Sequence, residues 1–246
     1  CLVFADVASV RHAEQAVAAG VDGLVLLTAG AGGQTGWANP FAFVRAVRSF
    51  WGGIVVMAGG MADGHAIAAA QTLGCDLAYM GTRFIATRES LAPDAYRGML
   101  VESSIDDVQL TRAFTGLPTS MLVPSILRAG LDPARLDETV TPNTAAQMFG
   151  GSSHGNTADG PRRWRDIWSA GHSVSGVRQV QTVEAMVAQQ LALRGLRRFA
   201  DEIVLPQGVF SLITPGSDEE NAATGDLDIT ESVIVRGVGA QATVIN

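Results

Sequence analysis

Three glycine clusters, each directly after a short apolar run, are the residues of this 246-residue chain whose type and spacing suggest chemistry. The first is Ala29-Gly30-Ala31-Gly32-Gly33-Gln34-Thr35-Gly36. The second is Ala58-Gly59-Gly60, leading through Met61-Ala62-Asp63-Gly64, and the third is Met80-Gly81-Thr82-Arg83-Phe84. Glycine lets backbone N–H groups approach phosphate oxygens closely, and the dipole of a following helix favours the negative charge. A single Gly-Gly pair says little. Three clusters spaced by 20–30 residues point to a phosphate cradle, with ordinary tight turns as the alternative.

Other reactive groups are few. All 17 basic residues are Arg, which excludes chemistry that needs a lysine amine. Cys1 and Cys75 are too few for a disulfide framework and fit a reducing, cytoplasmic setting; Cys75 reads as a buried structural thiol. His65 opens a helix and reads as solvent-facing, while His12 and His154 carry no signal. No metal site is expected. The acids Asp218, Glu219, Glu220, Asp226 and Asp228 lack the regular spacing of a calcium loop and read as a solvated turn. Trp164 and Trp168 are spaced to share a helix face, for core packing or for lining a pocket.

The elements that must position these loops alternate. Residues 2–6, 23–28, 54–58 and 77–80 read as strands, and 12–19, 40–50 and 63–73 as helices. That alternation predicts βαβ units and a parallel sheet. Residues 89–130 read as helical without strands, 150–160 as a polar Gly-rich loop, and 164–168 and 183–193 as helices. From about residue 194 the sequence changes to short β runs punctuated by Gly, Pro, Asn and Asp. Eight of the 24 acids lie beyond residue 200 against Arg236 alone, and they account for the whole net charge of −7. The rest is neutral, with no basic stripe for nucleic acid. No apolar run approaches the roughly 18 residues of a membrane span.

The run from Val21 to Thr87, densest at AGAGG, AGGMADG and MGTRF, resembles the FMN-dependent nitronate monooxygenase (2-nitropropane dioxygenase) family, with weaker similarity over residues 2–193. The resemblance implies an α/β fold: the last four strands of a (β/α)₈ TIM barrel. Residues 1–88 would form this FMN-binding half, 89–150 a helical substrate or lid region, and 151–193 a loop and closing helices. It also implies cofactor contacts from Gly32, Gly33, Gly59 and Gly60, with Tyr79, Met80, Gly81 and Thr82 around the phosphate. Arg83 is either a phosphate ligand or a helix-end or core ion pair. The substrates implied are a nitronate or nitroalkane and oxygen.

Gln34 stands where the family carries its catalytic histidine. A neutral amide cannot abstract a proton near pH 7, although it can orient a substrate or polarise a carbonyl. Anionic nitronates need no such base. His172, within Ser169-Ala170-Gly171-His172-Ser173, lies where the family has a loop near the flavin. It is either a replacement acid or base or a satisfied loop residue. The GAGGQTGW form also resembles flavin enzymes acting on CoA-linked intermediates, so a hydroxylase or dehydrogenase of an acyl-CoA is the alternative.

Residues 201–246 resemble the opening coils of a right-handed parallel β-helix surface protein, chiefly at GDLDIT and VIVRGVGA. One coil cannot bury its own apolar face. A barrel piece joined to such a coil suggests a gene fusion or assembly artefact at 194–246, and an opening without Met suggests a truncated chain. Half a barrel exposes two sheet edges. Such a chain is either a non-catalytic fragment or is completed by its other half or by a second copy in a homo-oligomer.

Overall fold

The computed structural model describes residues 1–149, 161–194, 201–205, 208–210, 233–237 and 243–245. The Gly-rich loop 150–160 with His154, the acidic turn at 218–228 and the short run 227–229 lie outside them. The chain divides into two compact units, Cys1–Arg194 and Gly195–Asn246.

The first unit opens with β1 (Phe4–Val7), α1 (Val10–Ala18), β2 (Gly23–Leu27), β3 (Gly33–Gln34) and α2 (Pro40–Arg48). It continues with β4 (Ile54–Ala58), α3 (Gly64–Leu73), β5 (Leu77–Tyr79) and the single turn α4 (Thr82–Ile85). Strands β1, β2, β4 and β5 pair in that order, all parallel, as the strand–helix alternation predicts. Their side chains alternate between faces. Leu24, Leu26, Val55 and Met57 turn to the helices and join Ala13, Val44, Val47 and Ala70 in the main core. Val25, Leu27, Val56 and Ala58 form a second apolar cluster on the opposite face.

Side-chain caps fix where the helices begin. Ser9 accepts the His12 N–H at 3.2 Å, Asn39 the Phe41 N–H at 3.0 Å, and Asp63 the Ala66 N–H at 3.0 Å. Each takes up a donor the helix start leaves unpaired. At the opposite end of the sheet, Asp76 accepts the Val55 N–H at 2.8 Å and pairs with Arg48 at 2.5 Å. Arg48 also donates to the carbonyls of Gly53 and Gly74, clamping the start of β4 to the α3–β5 turn.

The rest of the unit comprises α5 (Asp94–Glu102), β6 (Val108–Thr111), β7 (Thr119–Leu122), α6 (Val123–Arg128), α7 (Pro142–Phe149) and α8 (Val183–Arg194). The reading of 89–130 as helical without strands is corrected here. β6 and β7 form an antiparallel pair that β3 extends, Gln34 lying opposite Thr119. The alternation in Val108-Gln109-Leu110-Thr111 and the turn residues Gly116 and Pro118 are hairpin signals that the apolar spacing obscures.

A helix at 164–168 is also corrected. Trp164 has φ 68°, and its N–H donates to the Ile167 carbonyl at 2.9 Å in a tight turn. The two tryptophans therefore share no helix face. Trp168 is buried, stacks on Tyr96 at 4.6 Å and lies under the Arg128 guanidinium at 3.7 Å, so it is a packing residue. Cys75 is buried and His65 exposed, as expected.

In the second unit, β8 (Asp201–Leu205) pairs in parallel with β10 (Val233–Gly237), Asp201 opposite Val233. β9 (Gly208–Phe210) pairs in parallel with β11 (Thr243–Ile245), Gly208 opposite Thr243. Among the described residues no helix is long and apolar enough to cross a membrane.

Candidate functional site

The three glycine loops follow β2, β4 and β5, and all three open at the C-terminal ends of these parallel strands, where open α/β sheets bind ligands. Thr28 ties the first loop to the second: its N–H and its hydroxyl both donate to the Ala58 carbonyl, at 3.0 and 2.8 Å. Gly59 has φ 120°, and a Cβ there would lie 2.4 Å from the Thr28 hydroxyl oxygen. Only glycine fits that approach. Thr35 donates to the Thr28 carbonyl at 2.7 Å and folds the first loop back on itself.

A fourth segment, distant in sequence, closes the wall. The His172 N–H donates to the Gly30 carbonyl at 2.8 Å, and the Gly171 N–H donates to the Thr82 hydroxyl at 2.9 Å. The 3₁₀ turn His172–Gly176 follows. Between these segments lies a cleft of ≈140 Å³. Gly30, Ala31 and Gly32 line it from the first loop, Gly59, Gly60 and Met61 from the second, and Tyr79 to Thr82 from the third. Leu27 and Ala58 form its floor, with Ile85, Ser169 and Ser173 alongside.

The donor chemistry is neutral. No Arg, His, Asp or Glu lines the cleft among the described residues. Tyr79, Thr82, Ser169 and Ser173, which carry hydroxyls, are among the lining residues, and the N–H groups of Gly32, Gly59, Gly60 and Gly81 have no hydrogen-bond partner among the described residues. A Cβ built at Gly60 or Gly81 meets no protein atom within 4 Å, so both glycines face open space. Unpaired backbone donors beside hydroxyls are what a phosphate's oxygens require.

Seven expected contact residues therefore converge: Gly32, Gly59, Gly60, Tyr79, Met80, Gly81 and Thr82 all line the cleft. Gly33 and Gln34 lie on β3 beside it and are not among the lining residues, and Gln34 is exposed. His172 is exposed with its ring packed against Gly30, where a Cβ would come within 2.5 Å of Nδ1. Its backbone builds the wall while its ring stays outside the lining. Ser169 and Ser173 were not foreseen; the signal available was two hydroxyls flanking His172 in one short segment.

Arg83 turns away from the cleft. Nη1 donates to the Gly176 carbonyl and Nη2 to Gln189 Oε1 at 3.4 Å. It makes no ion pair among the described residues, so both alternatives for it, a phosphate ligand and an ion pair, are set aside. Burial lowers its pKa from the usual guanidinium range, and the charge of Asp63 opposes that shift.

Parallel strands with donor-rich glycine loops gathered at their C-terminal ends define an α/β protein with one ligand cleft among these strands. A profile of the nitronate monooxygenase family matches residues 1–192, and the chain belongs to that family. It is 30% identical over 213 residues to a nitronate monooxygenase of Paraburkholderia phytofirmans, covering 81% of this chain and 57% of the relative. It is 31% identical over 124 residues to (3aS,4S,5R,7aS)-5-hydroxy-7a-methyl-1-oxo-octahydro-1H-indene-4-carboxyl-CoA dehydrogenase of Rhodococcus jostii, covering 49% of this chain and 34% of that protein. Among solved structures, FabK of Thermotoga maritima superposes with a TM-score of 0.63 at 28% identity, covering 79% of this chain and 61% of FabK. A nitroalkane oxidase of Streptomyces ansochromogenes gives 0.59 at 27%, covering 79% and 57%. The chain thus spans little more than half the length of the Paraburkholderia relative and of the two solved structures.

Proposed function

We propose that this chain is the cofactor-phosphate half of an FMN-dependent oxidoreductase that oxidises nitronates or nitroalkanes with oxygen. One observation carries the reading: three glycine loops line a single cleft together with Thr82, and four of their glycine N–H groups have no hydrogen-bond partner among the described residues. Gly59, Gly60, Gly81 and Thr82 would hold the phosphate, with Tyr79 and Met80 beside it and Gly32 and Gly33 toward the flavin. Bound FMN supplies the redox chemistry and the reaction with oxygen. The protein's own part is to bind and orient.

Gln34 carries no proton-abstracting group, which favours a substrate that arrives already ionised. The His172 ring packs against Gly30 of the first loop and is the candidate acid or base if a neutral substrate is used. The carboxyl-CoA dehydrogenase named among the relatives favours a second reading, an acyl-CoA substrate at the same flavin.

The sheet suggests why the cleft is small. By register Phe4, Leu77 and Tyr79 share the face of Val25 and Val56, and they are 39%, 47% and 62% exposed at the two edge strands. Further βα units, completing an eight-stranded barrel, would cover that face and enclose the rest of the flavin. For the second unit, parallel pairing of each strand with one a coil later favours the start of a β-helix.

The test is flavin titration of the purified full chain, read as the yellow absorbance band retained after gel filtration. Retained FMN is expected. A soluble, monodisperse chain that ignores added FMN overturns the proposal.

A further inference from the structure

Arg83 is only 7% exposed, yet no carboxylate lies within ion-pair distance of it among the described residues. Its Nη groups are taken by the Gly176 carbonyl and Gln189, while its buried Nε has no partner among the described residues. Asp63 is the acid whose charge reaches it, and that carboxylate already caps α3 through the Ala66 N–H. A guanidinium remains protonated in proteins, so this is a fixed positive charge held out of water. Such a charge is costly when uncompensated. Gly81 and Thr82, the two residues before it, line the cleft. Among the described residues every one that lines the cleft is neutral, so these residues supply no net charge to balance an anion.

We propose that Arg83 is the counter-charge for the anionic group in the glycine cleft. It acts through space from behind Thr82 and so sets the preference for a phosphorylated over an unphosphorylated flavin. The inference rests on the FMN reading above. Arg83 is here a positioning residue, because it touches neither the cleft nor its ligand. Its field acts in a partly buried region, where opposite charges are weakly screened. The attraction favours the dianionic phosphate and leaves the neutral isoalloxazine and ribityl portions unaffected.

The experiment titrates FMN and riboflavin separately onto the full chain and onto Arg83→Gln and Arg83→Lys, by flavin fluorescence, with circular dichroism reporting the fold. Wild type is expected to favour FMN, and Arg83→Gln to lose roughly tenfold in FMN affinity with riboflavin unchanged, the scale of one partly screened charge. Arg83→Lys, which keeps the charge on a different stem, is expected to retain the preference. An Arg83→Gln that weakens both flavins equally, or neither, overturns the inference while leaving FMN binding intact. If Arg83→Gln does not fold, the Lys variant decides: loss of its FMN preference in a folded protein overturns the proposal. A wild-type chain that binds neither flavin overturns the function reading and this inference with it.

Discussion

The backbone N–H of Gly171 donates to the hydroxyl of Thr82 at 2.9 Å, joining segments 89 residues apart. Thr82 is 4% exposed, so water does not replace this bond if it is lost. Thr82→Val keeps the shape and leaves the Gly171 N–H without an acceptor, a loss of about 1–3 kcal/mol. Thr82→Ser retains the oxygen and should lose far less. Thermal unfolding of the two variants checks this, at roughly 2–4 °C for each kcal/mol in a domain of this size. Equal midpoints for Val and Ser would show that the bond contributes nothing.

The same wall segment holds Gly30. Gly30 has φ 89°, and a Cβ there would meet His172 Nδ1 at 2.5 Å and Cγ at 2.7 Å. Gly30→Ala therefore meets two separable penalties, left-handed backbone and collision with an imidazole. Only the second involves His172. His172→Gly should alone cost only about 0.5–1 kcal/mol, mostly backbone entropy since the ring is exposed, and should recover part of the Gly30→Ala loss in the double variant. A double-mutant cycle in chemical denaturation measures the coupling, expected at about 1 kcal/mol or more. Strict additivity would mean that the loop moves aside without cost.

How far the sequence carried the fold follows from which contacts were local. β4 lies at Ile54–Ala58, the range its uninterrupted apolar run predicts, because a strand buried on both faces needs no alternation. α1 begins two residues early, at Val10, because Ser9 provides a cap that apolar spacing ignores. The antiparallel sheet escaped because β3 has only Gly33 and Gln34, and its pairing with Thr119 and Ser120 is set by the tertiary fold. The site divides in the same way. The glycine loops are legible because each follows its own strand. Ser169 and Ser173 line the cleft in the segment whose Gly171 and His172 N–H groups bond Thr82 and Gly30, and no local pattern encodes those partners.

Cys75 supplies a pH dependence whose sign is fixed. Its thiol is 6% exposed, and burial pushes the pKa from 9.0 to about 11; Arg48 pulls it down and Asp76 adds to the rise. The unfolded chain releases this proton first. Stability from the protonated thiol is therefore complete below pH 9.0 and is lost as pH rises toward about 11. Cys75→Ala should flatten that alkaline decline in a series of denaturant midpoints, at the cost of a small cavity. At neutral pH iodoacetamide should add once to the native chain, at exposed Cys1, and twice in denaturant, by intact mass. Two adducts on the native chain would contradict the burial argument.

Gly81 separates binding from folding more sharply than the other glycines of the cleft. Its φ of −108° is one that any residue adopts, and a Cβ there meets no protein atom within 4 Å. Gly81→Val should therefore fold with stability within about 0.5 kcal/mol of wild type, as an uncongested substitution does. Its two methyl groups would stand in the cleft beside Gly60 and Thr82, where the phosphate is proposed to lie. They should also hinder approach to the backbone N–H groups on that side. Flavin affinity should then fall at least a hundredfold while the unfolding midpoint stays put. Gly59→Val makes the contrast: its Cβ would strike the Thr28 hydroxyl at 2.4 Å from a backbone with φ 120°, so stability should fall along with binding. FMN titration paired with urea unfolding on both variants reads the two effects apart. Full FMN affinity in Gly81→Val would move the phosphate out of this cleft.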